Sequence, residues 1–271
     1  MKRRLFIAQL AGAASALSFA PRLGAQASTP SAGPPDPKLV EDLVAANRIL
    51  ADQGVVDGFG HVSVRHDRSP NRYLLSRSLA PELVTAGDIM EFDLDSVPVD
   101  GRGRGVYLER FIHGEIYKTR ADVKAIVHNH SPSVIPFGAT GVRLRPLYHM
   151  SAFLWRGVPV FEIRDAAGGA SDMLVRNGAL GRALAQTLGD KTAVLMRGHG
   201  AVVVGDSLPT AVRRSVYLEM NARLQGQAMS LAGDKVKYLD DDEAKLTEAN
   251  DAATTPRVWE LWKRKALRDV R

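Results

Sequence analysis

Ala125-Ile126-Val127-His128-Asn129-His130 is the stretch on which the reading of this chain turns. Three apolar residues lead into two histidines one residue apart. In a strand, where side chains alternate between faces, His128 and His130 point the same way, as two ligands of one metal ion must. The apolar run makes this a buried strand whose end opens onto a site, the place where α/β folds hold their ligands. The competing reading of the pair is two satisfied polar residues at a strand end.

Two further groups bear on that choice. His199 lies between Gly198 and Gly200, just before an apolar strand, and the glycines permit a tight backbone path and a close approach. A third imidazole beside the pair completes a site with an open coordination position for water or substrate. Glu109 and His113 stand four apart on a helix predicted over 107–118 and can share a face. A carboxylate near a cation either ligates it until substrate arrives or moves a proton, although an ordinary surface pair has the same spacing.

Outward from this stretch, helices and strands alternate. Asp36 and Pro37 open a helix, as N-cap and first residue, with Leu39, Leu43, Ala46 and Leu50 at helical spacing. Strands are predicted over 61–65, 73–76, 89–93, 125–128, 158–163, 193–196 and 201–204. Helices are predicted over 177–188 and, capped by Ser207, to about residue 229. A charged segment at 240–243 follows, and the last helix is expected after Thr255-Pro256, with Trp259 and Trp262 as packing residues. The glycine-rich stretch at 101–105 lacks the Lys-Ser/Thr ending of a phosphate loop, so no nucleotide role is assigned to it.

The chain has 271 residues, enough for one sizeable core, with 45% apolar and 24% charged residues, a globular balance. Its start reads differently. Lys2, Arg3 and Arg4 precede an apolar stretch over 5–20, and Ala25-Gln26-Ala27 forms a small-x-small cleavage site. Residues 1–27 therefore read as a cleaved signal peptide resembling the twin-arginine type, which exports folded proteins to the periplasm or beyond. A membrane anchor fits less well, because the run is short and broken by glycine and serine. Residues 28–36 form a linker or arm, 37–230 the catalytic domain, and 231–271 a C-terminal extension with a packing helix. The formal charge of +6 includes Lys2, Arg3, Arg4 and Arg22, with no acidic residue before Ser28, so the mature chain is near +6 − 4 = +2. Its basicity thus gives no case for nucleic acid. The chain has no cysteine, which excludes thiolate metal sites and thiol nucleophiles.

Gly60-His61-Val62-Ser63-Val64-Arg65, Glu109 ahead of His128-Asn129-His130, and the late Gly198-His199-Gly200 occur in an order that resembles the class II aldolase/adducin family. The resemblance runs from about Leu39 to Met229. It implies a three-layer α/β/α fold with a predominantly antiparallel central sheet, a single divalent metal on His128, His130 and His199, and a homotetramer with sites near subunit interfaces. The family's aldolases bind a sugar phosphate through an Asn, a Thr-Gly pair and serines, and use a Tyr in proton transfer. Here His61 stands at the Asn position, Arg77-Ser78 at the Thr-Gly position and Tyr107-Leu108 before the glutamate. His149, nineteen residues beyond His130, stands where the Tyr is expected.

These departures resemble the family's decarboxylase branch, which acts on hydroxylated aromatic or pyridine dicarboxylates and on carboxymuconic semialdehydes. The expected substrate is therefore a small carboxylate. Arg77, Ser78, His61 and His113 are assigned to its binding and Glu109 and His149 to proton transfer, with Zn²⁺ or Mn²⁺ as the cation. An aldolase for a non-phosphorylated hydroxy-oxo acid, an isomerase or epimerase, and a non-catalytic adducin-like scaffold are the competing classes.

Overall fold

The computed structural model describes residues 30–99, 101 and 103–268. The expected signal peptide, 1–27, lies outside the described residues. Among those described, no helix is long and apolar enough to cross a membrane.

Seven strands form one sheet in the order β3-β2-β1-β4-β7-β6-β5. They are β1 (His61–Arg65), β2 (Arg72–Ser76), β3 (Ile89–Asp93), β4 (Ala125–Asn129), β5 (Val160–Phe161), β6 (Ala193–Met196) and β7 (Gly200–Gly205). All neighbours pair antiparallel except β5 and β6. The helices are α1 (Pro37–Asp52), α2 (Phe111–Thr119), α3 (Ile135–Thr140), α4 (Ile163–Ala167), α5 (Gly178–Leu188), α6 (Leu208–Ala232), α7 (Asp241–Glu248) and α8 (Asp251–Ala266). They cover both faces, giving the three-layer α/β/α architecture with a mainly antiparallel sheet.

Strand alternation decides which side chains meet which layer. On one face Ile126, Val202 and Val204 pack with Ile112 and Ile116 of α2 and Leu184 of α5. On the other, Ala125, Val127, Val62 and Val64 pack with Leu43 and Ile49 of α1 and Val212 of α6. Every residue of β1 and β4 is buried, so the polar members of these strands have little contact with bulk water. His61, Ser63 and His128 therefore look toward α2, and a buried polar group there must find a partner.

Helix ends follow local chemistry. Asp36 accepts from the Lys38 amide ahead of Pro37, and Ser207 accepts from the Thr210 amide at the start of α6. The predicted strand over 158–163 shrinks to Val160–Phe161, because the Glu162 side chain already caps α4. The charged segment proves to be the start of α7, where Asp240 and Glu243 form a reciprocal capping box. The last helix begins at Asp251, five residues before Pro256, instead of after it. Its first residue is held by the buried Arg213, whose Nη1 and Nη2 donate to the Asp251 carboxylate at 2.6 and 2.8 Å. That tertiary clamp outweighs the one backbone bond that the proline removes. Trp259 is 5% exposed and packs into the α1/α6 core, with Trp262 against it.

The described part of the N-terminal arm is docked. Ser31 Oγ donates to Glu91 Oε2 at 2.5 Å, the Ala32 amide donates to Glu91 Oε1 at 2.9 Å, and His66 Nε2 bonds the Gly33 carbonyl at 3.1 Å.

Candidate metal centre

Antiparallel register builds the site. β4 lies between β1 and β7, with His61 opposite His128 and Asn129 opposite Ala201. His130 follows directly from the end of β4, and His199 precedes β7 on a turn where Gly198 has φ of +63°. Gly200 makes the close approach possible, since a Cβ there would lie 2.0 Å from the Asn129 carbonyl oxygen. Two strand ends and one turn thus bring three imidazoles together.

Their Nε2 atoms converge: His130 lies 3.2 Å from His128 and 2.9 Å from His199. Glu109 completes the group, its Oε2 lying 3.3 Å from His128 Nε2 and 3.4 Å from His199 Nε2. One ligand atom from each of the four residues falls within 4.8 Å of all the others. The outer nitrogens are fixed by the backbone. His128 Nδ1–H donates to the Ala201 carbonyl at 3.2 Å and His199 Nδ1–H to the Met173 carbonyl at 3.0 Å. Both rings are thereby held in the tautomer that turns an Nε2 lone pair inward, the arrangement that metal-binding histidines require. Glu109 Oε1 accepts from the Val175 amide at 2.9 Å, leaving Oε2 for the cluster. Inward-facing lone pairs this close repel unless a cation lies between them, so the donor set fits a divalent metal ion.

Electrostatics agree with that fit. Burial works against a charge on Glu109, yet His128 and His199 outweigh it and hold the carboxyl far below its usual range. Burial, then His128 and His199, push His130 down to about 4. Burial also lowers His199, but the Glu109 hydrogen bond reverses the direction and leaves it raised.

Behind the cluster runs a buried chain of polar groups. His61 Nδ1 and His113 Nε2 are 2.7 Å apart, His113 Nδ1 and Ser63 Oγ 2.6 Å, and Ser63 Oγ and the Tyr117 hydroxyl 2.9 Å. His61 borders the cavity and lies beside His128, with ring centroids 5.0 Å apart. His113 has no exposed surface, and burial drives its basicity down to about 3. The expectation that His113 binds substrate is corrected accordingly: it supports His61 from behind. Glu109 sits on the short 3₁₀ turn Leu108–Arg110 ahead of α2, so the two do not stand on one α-helix.

The cluster opens into a cavity of about 390 Å³ lined by His61, Ser78, Glu109, His128 and His130 together with Phe59, Leu79, Val106, Tyr107, Leu108 and Leu174. Arg77 does not line the cavity: its Nε donates to Asp88 Oδ1 at 2.6 Å. His149 lies in a different cavity, with Arg213 and Tyr217. The segment leading to it is strapped to α6, the Arg145 amide donating to Gln225 and the Leu147 amide to Asn221. Within one chain, therefore, the structure brings Glu109, His61 and Ser78 to the three histidines and keeps Arg77 and His149 apart from them. The apolar lining was not singled out beforehand, although Gly58-Phe59-Gly60, directly ahead of His61, offered a signal for Phe59.

Comparison with known proteins places this geometry among relatives. The family described as Class II Aldolase and Adducin N-terminal domain matches residues 41–226. The chain is 35% identical over 246 residues to Decarboxylase tropJ of Talaromyces stipitatus, covering 83% of this chain and 92% of that protein. It is 32% identical over 236 residues to the 3,4-dihydroxyphthalate decarboxylase of Arthrobacter keyseri, covering 81% and 90% respectively. Among solved structures, the L-fuculose 1-phosphate aldolase from Glaciozyma antarctica PI12 superposes with a TM-score of 0.71 at 24% identity, covering 87% of this chain and 94% of the other. That likeness shows a shared fold.

The depressed histidines set a pH dependence for the metal-free protein. His113 and His130 titrate at about 3 and about 4 when folded, against 6.5 ordinarily. Below pH 6.5 the unfolded chain takes up protons that the folded chain refuses, so stability falls toward pH 4, by about 1.4 kcal/mol per pH unit for a fully buried group such as His113. His130, partly exposed, adds less. Glu109, depressed, loses its contribution in the same direction, at lower pH, whereas the raised His199 acts oppositely. Urea denaturation of chelator-treated protein is expected to show a clear loss between pH 6.5 and 4, and a flat profile contradicts the assignment.

Proposed function

Because the chain belongs to the class II aldolase/adducin family, we propose that it is a metal-dependent decarboxylase releasing CO₂ from a hydroxylated aromatic dicarboxylate or a related carboxy-semialdehyde. The observation that carries this reading is a His₃Glu cluster opening onto a cavity whose remaining wall is mostly apolar. Two relatives named as decarboxylases, matched over nine-tenths of their length, support it.

The reaction breaks the bond between a ring carbon and a carboxylate carbon, returns the electron pair to the ring, and delivers a proton to the vacated carbon. His128, His130 and His199 would hold a divalent cation, which when bound would supply Lewis-acid chemistry to the site. The imidazole set suits Zn²⁺, and Mn²⁺ fits where oxygen donors complete the sphere. Glu109, the one carboxylate among the described residues lining the cavity, is ionised at rest and is assigned to relaying a proton, taken up from water or a substrate hydroxyl, to the vacated carbon. His61 offers its second ring nitrogen to the substrate while His113 holds the first. Ser78 supplies a hydroxyl to a substrate oxygen, and the apolar wall excludes water from the departing carboxylate.

Release of CO₂ from 3,4-dihydroxyphthalate, a probe taken from the relatives' activity, tests the reading. Turnover is expected to vanish on chelation, return with Zn²⁺ or Mn²⁺, and fall at least about 10³-fold in His130→Ala, as loss of a ligand requires. Cleavage of hydroxy-oxo acids into two carbonyl fragments without CO₂ would overturn it.

The homotetramer expected from the family is the assembly we propose. A part for His149 in proton transfer then requires a neighbouring subunit to bring it to the cavity, because its own chain holds it elsewhere. Sedimentation analysis is expected to give a tetramer, and a monomer that keeps full activity removes His149 from the mechanism.

We also propose export by the twin-arginine route to the periplasm or beyond, supported by Arg3-Arg4 and Ala25-Gln26-Ala27. A site assembled before export takes its metal in the cytoplasm, which suits ligands without thiolates. Fractionation of tagged full-length protein is expected to find the processed form outside the cytoplasm, and the Arg3→Lys, Arg4→Lys double variant retained inside. Cytoplasmic location of both would exclude export.

A further inference from the structure

Phe59 is 69% exposed, the most open of the aromatic side chains bordering the cavity. Its backbone is nonetheless fixed. Its amide donates to Asp57 Oδ1 at 2.9 Å. The next residue, Gly60, has φ of +93°, and a Cβ there would come within 2.7 Å of Val56 Cγ1 and 3.0 Å of the His128 carbonyl oxygen. The loop presenting Phe59 is thus keyed to the ligand strand. The ring lies 6.3 Å from that of His130, in a stacked arrangement at 28° between planes, so an aromatic face stands at the mouth of the cavity beside a candidate ligand.

The rest of the lining favours a flat apolar body. Leu79, Val106, Leu108 and Leu174 offer no hydrogen bonds from their side chains. The Tyr107 hydroxyl is committed, donating to the Leu79 carbonyl at 2.5 Å and bonded to Ser76 Oγ at 3.1 Å. A polyhydroxylated chain would leave hydroxyls unpaired there, at a cost of about 1–3 kcal/mol for each buried group. An aromatic ring has edges for polar substituents and faces that need only apolar contact.

We propose that Phe59 is the specificity-determining residue that stacks on the substrate's aromatic ring, selecting planar aromatic carboxylates over acyclic ones. This rests on the decarboxylase reading of the same site. Ring stacking together with the apolar area buried beneath it corresponds to an effect on the order of tenfold.

The test uses metal-loaded full-length mature protein, with steady-state kinetics on 3,4-dihydroxyphthalate and on oxaloacetate as an acyclic oxo diacid. Calorimetric binding of 3,4-dihydroxybenzoate, which lacks the departing carboxylate, provides a readout independent of turnover. Phe59→Ala is expected to raise KM for the aromatic substrate and Kd for the probe about tenfold, with kcat within about twofold. Phe59→Trp is expected to stay within about threefold of the parent, since it keeps an aromatic face. Binding of the acyclic acid should be unchanged. Equal loss for both substrates, or undiminished probe affinity in Phe59→Ala, overturns the proposal. Failure of the parent to release CO₂ from any aromatic dicarboxylate, with probe affinity still dependent on Phe59, defeats the decarboxylase reading and leaves the Phe59 assignment standing.

Discussion

The antiparallel pairing of β4 between β1 and β7 is the constraint from which the site follows. Register fixes His61 beside His128 and lays the start of β7 along the end of β4. A shift of one residue would turn His128 into the opposite layer and put Val127 in its place, because side chains alternate with period two. Backbone carbonyls complete the arrangement: those of Ala201 and Met173 orient two of the rings by accepting their outer N–H groups. The ligands are therefore positioned by main chain, the least adjustable part of the fold, which makes the centre preorganised for a cation.

Around that rigid group, the rest of the cavity wall is built from side chains on loops, and these carry the chemical individuality of the molecule. Phe59, Leu79, Val106 and Leu108 all lie outside regular strands and helices that make up the sheet and its covering layers. The chain shares its fold with an L-fuculose 1-phosphate aldolase at 24% identity, whereas relatives at 35% and 32% identity are named decarboxylases. The polar wire behind His61 belongs to the same design. Fully buried groups must be mutually satisfied, and His113, Ser63 and Tyr117 satisfy one another while holding His61 at the cavity edge.

Much of this was legible in the sequence where periodicity or local chemistry governs. His128 and His130 declare themselves through strand alternation, His199 through its flanking glycines, and the layered fold through its order of motifs. What could not be read depends on partners distant along the chain. His113 disappears into the interior because Ser63, fifty residues earlier, gives it a hydrogen-bond partner there. Arg77 is diverted by Asp88, a carboxylate whose closeness depends on how β2 and β3 pair. His149 is carried away by hydrogen bonds that the Arg145 and Leu147 amides donate to Gln225 and Asn221, more than seventy residues later. The start of α8 was missed for the same kind of reason, since Arg213 anchors Asp251 ahead of a proline that locally argues for a later start.

The claim on which everything else rests is that His128, His130 and His199 form one divalent-metal site. Elemental analysis of the purified protein alongside His199→Ala, with circular dichroism to confirm that both are folded, measures it directly. One equivalent of divalent metal per chain is expected in the parent, and loss of that metal in the folded variant. A folded parent that binds no metal when offered Zn²⁺ or Mn²⁺, or a His199→Ala protein that retains a full equivalent, would contradict it.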